Sequence, residues 1–262
     1  MSFFNNTIQS ILGDKSLSRI DFIICGTQKS GTTALDQYLR LHPHICMADR
    51  KEVHYFDKDR YFENLNPDYT KYHKCFSPGN GHQIIGEATP IYMYWNHAIE
   101  RIHRYNPQIK LIAVLRNPIK RAFSHWNMER DRNRESRSFW EAIVDENSKI
   151  NSSGHKQDKT FSYLDRGFYF SQIQEIYNYF NKDQLLLIRN ELLRDNPNEV
   201  LEDVARFLSI SPFSLVEHRE VHSRSYPVKL CQDELDFLNN FYKDEINSLE
   251  RLLGWDLTSW KE

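Results

Sequence analysis

Residues 20–35 read Ile-Asp-Phe-Ile-Ile-Cys-Gly-Thr-Gln-Lys-Ser-Gly-Thr-Thr-Ala-Leu, and their reading decides the fold. An apolar run, Phe22–Cys25, meets a turn bracketed by Gly26 and Gly31, and a helical pattern opens at Thr32. A strand, a glycine-bracketed turn and a helix start gather backbone N–H groups and the positive end of a helix dipole at one point. Lys29 adds a mobile cation there, and Ser30, Thr32 and Thr33 add hydroxyl donors. The stretch reads as a phosphate or sulfate cradle. It is not a Walker loop, in which the lysine directly follows the second glycine. Here Thr32 follows Gly31, and Lys29 precedes it by two positions, so the lysine meets the anion from another side. A plain Gly/Ser turn is the alternative, disfavoured because strand, turn and helix signals coincide.

The rest of the chain supplies the frame for such a loop. Its 262 residues suit one domain spanning 1–262, and 40% apolar with 13% aromatic content is enough for a sizeable core. A net charge of −2 gives no bulk attraction to nucleic acid or membrane surfaces. Four scattered cysteines (Cys25, Cys46, Cys75, Cys231) have no metal or C-x-x-C spacing, which favours a reduced intracellular setting. No apolar run is long enough to span a membrane, and no secretory signal is visible; the expectation is a soluble, cytoplasmic protein. Phe3, Phe4, Ile8, Ile11 and Leu12 read as a short amphipathic helix packed on the body.

Strands and helices alternate, as in a three-layer α/β fold with a central parallel sheet flanked by helices. Expected strands follow at Ile84–Gly86, Ile109–Leu115 and Gln184–Ile188. Expected helices cover 31–41, 95–105, 118–134, 168–180, 197–208 and 233–253, so that residues 211–262 form a helical C-terminal part. Ser148–Lys159 is polar and reads as a mobile lid on the substrate side.

A second anion site is expected where Ile109–Leu115 ends, because ligands collect at the carboxyl ends of strands in open α/β sheets. Arg116 brings a forked guanidinium suited to phosphate. Lys120 and Ser124 are four residues apart and share a helix face, so Ser124 can join Arg116 on one anion. A structural ion pair at Arg116 and a surface Ser124 stand as the alternative.

The two motifs together, Gly26–Leu35 and Arg116-Asn117-Pro118-Ile119-Lys120-Arg121-Ala122-Phe123-Ser124, resemble those of the sulfotransferases that use 3′-phosphoadenosine 5′-phosphosulfate (PAPS). The resemblance implies that Thr27, Gln28, Lys29, Ser30, Gly31, Thr32 and Thr33 hold the 5′-phosphosulfate, and that Arg116 and Ser124 hold the 3′-phosphate. It extends to Lys51-Glu52-Val53-His54-Tyr55-Phe56-Asp57, similar to the segment carrying an acid/base glutamate in the carbohydrate-type branch, and to Gly86-Glu87-Ala88-Thr89-Pro90-Ile91-Tyr92. Arg166-Gly167-Phe168-Tyr169 and Glu191–Leu208 match later landmarks, so the resemblance covers about 20–210. Two features depart from the pattern. Ala88 stands where relatives carry a catalytic lysine or histidine, and the late basic loop is reduced to His222-Ser223-Arg224-Ser225, with Arg224 the candidate cation.

The implied reaction is in-line sulfuryl transfer, with demands like those of phosphoryl transfer. Lys29 and nearby N–H groups would stabilise the oxygen leaving sulfur. Glu52 is the first candidate for the base; it needs burial or hydrogen bonding, since a free glutamate titrates near 4.3. His54 is the second candidate, because an imidazole titrates near 6.5 unaided, and Glu87 is the third. No metal is required, and His42-Pro43-His44 reads as a helix-terminating turn. Tyr92, Tyr94, Trp95, Trp126, Phe161 and Tyr163 read as core or as an acceptor wall. Arg130–Arg137, with interleaved acids, reads as a solvated helix face before an anionic-glycan patch. A small-molecule or metabolite acceptor is preferred, a glycan is possible, and the oligomeric state is not readable. The competing readings are a nucleotide-dependent kinase with a variant phosphate loop, and a non-catalytic nucleotide-binding relative.

Overall fold

A computed structural model describes residues 19–64, 66–216 and 228–261. The N-terminal helix and the Arg224 loop expected from the sequence lie outside these residues. In chain order the elements are β1 (Phe22–Gly26), α1 (Thr32–Leu39), β2 (Ile45–Met47), α2 (Thr70–His73), β3 (Ile84–Ala88), α3 (Ala98–Tyr105), β4 (Lys110–Leu115) and α4 (Pro118–Asp131). They continue with α5 (Phe139–Ser153), α6 (Tyr169–Tyr177), β5 (Leu185–Arg189), α7 (Asn190–Asp195), α8 (Pro197–Leu208) and α9 (Gln232–Leu253). The five strands form one parallel sheet in the order β2-β3-β1-β4-β5. β1 lies at its centre, and the chain turns to opposite sides of β1 before and after β3. Such a reversal opens a crevice at the carboxyl ends of the strands.

Strand alternation sends neighbouring side chains to opposite faces, and both faces are buried. Ile23, Cys25, Leu111, Ala113 and Leu115 join the core built with α3, α4, α6 and α9. Phe22, Ile24, Ile112, Val114 and Ile188 pack with Leu35 and Leu39 of α1 and with Val200, Leu201 and Val204 of α8. These two cores make the expected three layers. Helix α9 closes the first through Leu238, Tyr242, Ile246 and Leu249.

Two expectations change. The segment from Ser148 is helical to Ser153, as the end of α5, and only the stretch beyond Gly154 crosses the site without regular structure. α5 starts on a capping box in which Ser138 and Glu141 satisfy each other's backbone N–H groups. α3 begins at Ala98, because the chain from Pro90 to Trp95 makes successive turns above the sheet. Those turns press on Gly26: a Cβ placed there would sit 2.5 Å from Met93 Sδ. Gly26→Ala is therefore expected to lower unfolding free energy by roughly 1–3 kcal/mol through overpacking, measured by urea denaturation.

Candidate active site

The loop after β1 is built around the carbonyl of Val114 on β4. Thr27 gives that oxygen its N–H at 3.0 Å and its hydroxyl at 2.9 Å. The Thr27 and Ser30 hydroxyls meet at 2.5 Å, and Ser30 N–H donates to the Thr27 carbonyl at 3.2 Å. Two more loop carbonyls are engaged from outside. Lys29 O accepts from Arg116 Nη1 at 2.9 Å, and Ser30 O accepts from Asn190 Nδ2 at 2.8 Å. Tyr169 in turn donates its hydroxyl to the Arg116 carbonyl at 3.0 Å. With the Lys29 and Ser30 carbonyls engaged from outside and the Thr27 and Ser30 N–H groups used within the loop, the start of α1 is the polar edge that remains. Gly31, at φ 96°, caps α1 with no side-chain acceptor, and the first N–H groups of a helix have no intrahelical partner. An anion supplies what this cap lacks.

Helix α4 adds positive charge. Arg116 stands at its entry and Ser124 is buried within it, whereas Lys120 is exposed. The buried face therefore carries Arg121, Ser124 and His125. Arg121 is fully buried and donates Nη2 to the Tyr163 carbonyl, leaving Nε and Nη1 without partners. Arg166 lies 4.9 Å over the Tyr94 ring, donates to Gln28 Oε1 and to the Asp158 carbonyl, and has an unpartnered Nε. Burial lowers the Arg166 pKa to about 10. Burial, together with Arg166, Arg121 and Lys29, holds His125 neutral. Among the described residues neither buried guanidinium has a carboxylate within ion-pair distance. Buried charge left so exposed to desolvation cost favours an anionic ligand.

The acidic partner hangs from the neighbouring strand. Glu52 N–H donates to the Ala88 carbonyl at the end of β3 at 2.9 Å, and β3 pairs with β1. Lys29, Glu52 and His54 adopt left-handed backbone, with φ of 70°, 63° and 54°. Such conformations are costly for non-glycine residues and cluster at functional sites. Glu52 contacts Lys51 at 2.9 Å and His54 Nε2 at 3.6 Å. His54 Nδ1 contacts Asp57 at 3.1 Å, and Asp57 receives Lys159 Nζ at 2.9 Å. Asp57 is 2% exposed at its side chain, against 44% for Glu52. The Glu52 end of the chain therefore faces solvent and the Asp57 end does not.

These contacts set the charge states. Asp57 and then Glu52 hold the His54 imidazolium, raising its pKa to about 9. His54 first, and Lys51 after it, lower Glu52 to about 2 despite partial burial. Burial raises Asp57, but His54 and Lys159 outweigh it and leave the group below its ordinary value. Glu87 is different. It is fully buried on β3 and raised to about 7 by desolvation, and Tyr72 and Thr89 donate hydroxyls to it at 2.8 and 2.6 Å.

With this geometry in place, comparison with known proteins is informative. The model of the sulfotransferase domain matches residues 19–226. The chain belongs to the sulfotransferase family. It is 25% identical to the membrane-associated sulfotransferase kil1 of Dictyostelium discoideum, over 92% of this chain and 67% of that protein. It is 29% identical to human heparan sulfate glucosamine 3-O-sulfotransferase 5, over 72% of this chain and 53% of that protein. A bifunctional heparan sulfate N-deacetylase/N-sulfotransferase 3 from Homo sapiens is 26% identical, with 94% of this chain covering 32% of that protein. The chain thus spans between a third and two thirds of the length of these curated relatives. The crystal structure of a sulfotransferase from Alicyclobacillus acidocaldarius superposes with a TM-score of 0.80 at 26% identity, covering 94% of this chain and 100% of that one. The enzyme is a sulfotransferase that moves a sulfuryl group, and the kinase reading is not favoured.

In this sulfotransferase Tyr92, Tyr94, Trp126 and Tyr163 are core, whereas Trp95 is half-buried and Phe161 is 39% exposed. Most of the basic run before α5 is paired with acids: Arg132 and Arg134 pair with Glu129, and Arg137 pairs with Glu135 and Asp145, while Arg130 lies over the Trp126 ring. His42 lies in the turn after α1 and bonds the Ser211 carbonyl at 3.0 Å. Among the described residues no cluster of His, Cys, Asp and Glu is arranged to hold a metal ion. Arg121, Arg166, Asp57, Lys159 and Asn190 received no role from the sequence. Asp57 could have been found, since it stands three residues after His54 in the motif already singled out. The charge states give a pH prediction. Transfer rate should stay level through neutrality and fall above about pH 9 as His54 loses its proton. His54→Asn should be slower and lack that alkaline fall, in initial-rate assays from pH 6 to 10.

Proposed function

We propose that PAPS is the sulfuryl donor and that Glu52 is the base accepting the acceptor's proton. The observation that carries this reading is the pairing of an anion loop and a solvent-facing carboxylate at the ends of adjacent strands, β1 and β3. Two anionic groups on one donor fit two sets of cations: Lys29 and the α1 N–H groups for the phosphosulfate, Arg116 and Ser124 for the 3′-phosphate. The uncapped start of α1 and the unpartnered nitrogens of Arg121 and Arg166 support an anion of this size. Arg224, in the segment outside the described residues, is retained as a further 3′-phosphate ligand by resemblance.

In the transfer, an acceptor hydroxyl oxygen bonds to sulfur while the bond from sulfur to the bridging phosphate oxygen breaks. The leaving electron pair stays on that phosphate oxygen, beside the Lys29 ammonium. The hydroxyl proton passes to Glu52. His54 is charged at neutral pH, so its role is to orient Glu52 and stabilise the site; Glu87 is shut away from solvent. The low pKa of Glu52 belongs to a carboxylate still facing water and its cationic neighbours, and an acceptor that excludes water raises it toward a useful base.

Of the two acceptor classes, the saccharide is favoured. The relatives named above include heparan sulfate sulfotransferases, and Trp95 lies half-buried at the same mouth as Lys159 and Asp57. Transfer to a hydroxyl is preferred over an amine. The chain acts as one domain over 1–262. A cytoplasmic location is supported by the four unpaired thiols.

Calorimetry should show 3′-phosphoadenosine 5′-phosphate binding with at least tenfold preference over ATP with magnesium; equal or reversed affinities would refute the donor assignment. Incubation with PAPS and a panel of saccharides, phenols and alcohols, read by mass spectrometry for the gain of one SO₃, identifies the acceptor class. Glu52→Gln should lower turnover by about 10²-fold or more while leaving 3′-phosphoadenosine 5′-phosphate affinity within about threefold. Lys29→Ala should lower turnover by a comparable factor and weaken donor binding as well.

A further inference from the structure

The segment after α5, residues 154–165, carries no regular helix until its end, yet it bonds Asp57 directly and reaches the anion loop through Arg166. Gln157 donates its amide to the Tyr94 carbonyl and accepts the Asn96 N–H at 2.7 Å. The Asp158 carbonyl receives Arg166 Nη2 at 2.9 Å, and the same guanidinium reaches Gln28 in the anion loop. Lys159 Nζ donates twice to Asp57, to its carbonyl at 2.8 Å and to its carboxylate at 2.9 Å, and lies 4.4 Å over the Trp95 ring. Glu146 of α5 roots the far end by accepting the N–H groups of Tyr163, Leu164 and Asp165 at 2.7–2.9 Å. Residues 154–159 are mostly exposed, so this strap is held by polar bonds and not by a core.

We propose that Lys159 is a positioning residue for the reaction: by holding Asp57 it fixes the His54 ring against Glu52, so that the strap must be seated for the base to be aligned. This rests on the reading of Glu52 as the base. Asp57 has one oxygen shared by His54 Nδ1 and Lys159 Nζ, while its other oxygen is buried with no partner. A carboxylate so placed has two ways to be held, and His54 is itself 36% exposed on a left-handed backbone. Lys159 is the only one of the two that comes from a distant part of the chain. It also anchors the Asp57 carbonyl, which fixes the main chain on which the carboxylate turns. Without it Asp57 can follow His54 toward solvent, and the 3.6 Å contact from His54 to Glu52 loses its fixed end. Small displacements of this kind cost large factors in rate.

The charged and titratable groups facing His54 and Asp57 are Glu52 and Lys51 on their own segment, Lys159 on the strap, and Glu87 with Tyr92 beyond β3. Lys159 is the cation among these that meets Asp57 directly. Its removal takes a positive charge from beside the imidazolium and frees an Asp57 lone pair for it. The alkaline fall in rate therefore moves to higher pH.

The test compares Lys159→Ala, Lys159→Arg, Asp57→Asn and the pair Lys159→Ala with Asp57→Asn in the full chain, using the acceptor found by the mass-spectrometric panel. Lys159→Ala is expected to lower kcat about tenfold to 100-fold, to leave 3′-phosphoadenosine 5′-phosphate affinity within about twofold, and to shift the alkaline limb upward by at least half a pH unit. Lys159→Arg should restore most of kcat, and the double variant should be no slower than Asp57→Asn alone, because both act through one contact. Lys159→Ala with kcat within threefold of the parent, or with an unmoved alkaline limb, overturns the proposal, as does Lys159→Arg behaving like Lys159→Ala. Circular dichroism melting confirms that the half-exposed lysine has been removed from a folded chain. The base assignment fails separately, through an active Glu52→Gln.

Discussion

The contact on which the site depends is the double hydrogen bond from Thr27 to the Val114 carbonyl. Val114 lies near the end of β4, beside central β1, so its carbonyl is the last fixed acceptor before the crevice opens. By taking both the N–H and the hydroxyl of Thr27, it turns the chain sharply away from the strand direction. The loop is then closed by Arg116, Asn190 and the Ser30 hydroxyl. Each of these comes from the start of a later element, α4 or α7, or from the loop itself. The loop therefore takes this shape only once β4 has paired with β1 and β5 with β4, which makes it a property of the assembled sheet and not of a local motif.

The same arrangement explains the odd position of the lysine. In a loop whose lysine follows the second glycine, the side chain rises from the first turn of the helix. Lys29 instead stands at φ 70° before Gly31, with its carbonyl tied outward by Arg116. Pinning the carbonyl outward reverses the direction in which the side chain can leave the main chain. Arg116 thus sets the course of the loop besides its proposed part in holding the donor. A substitution there disturbs both, and donor affinity alone cannot separate them.

Much of this was legible in the sequence. The strands β1, β3, β4 and β5 declare themselves because each is a short apolar run closed by glycine, asparagine-proline or a charged residue. Helix α8 declares itself by Pro197 at its first position and a sharp apolar face. β2, only Ile45–Met47, is too short to show a period. The helix α5 was missed although Ser138-Phe139-Trp140-Glu141 spells a capping box before an apolar run; the polar tail from Asn147 onward pulled the reading toward a loop. For the site, the motif segments gave Lys29, Glu52 and His54. Arg121, Arg166 and Lys159 were not legible as a group, because their relation is long-range: Arg166 and Gln28 are 138 positions apart, and Lys159 and Asp57 are 102 apart. No local pattern encodes such pairs.

The charge layout also bears on the choice of proton acceptor in the proposed reaction. Read alone, a histidine beside a glutamate is the natural base at neutral pH, since imidazole titrates there. Placed between two carboxylates, the same ring becomes the cation of the pair, and a protonated imidazole has no lone pair to offer. The carboxylate nearer to solvent is then left as the group that can meet a hydroxyl. Asp57, buried and held by Lys159, cannot exchange roles with Glu52 without breaking its own anchors. In the proposed reaction one acid is thus kept as a fixed counter-charge and the other as the acceptor of the proton, a division that their 2% and 44% exposure favours.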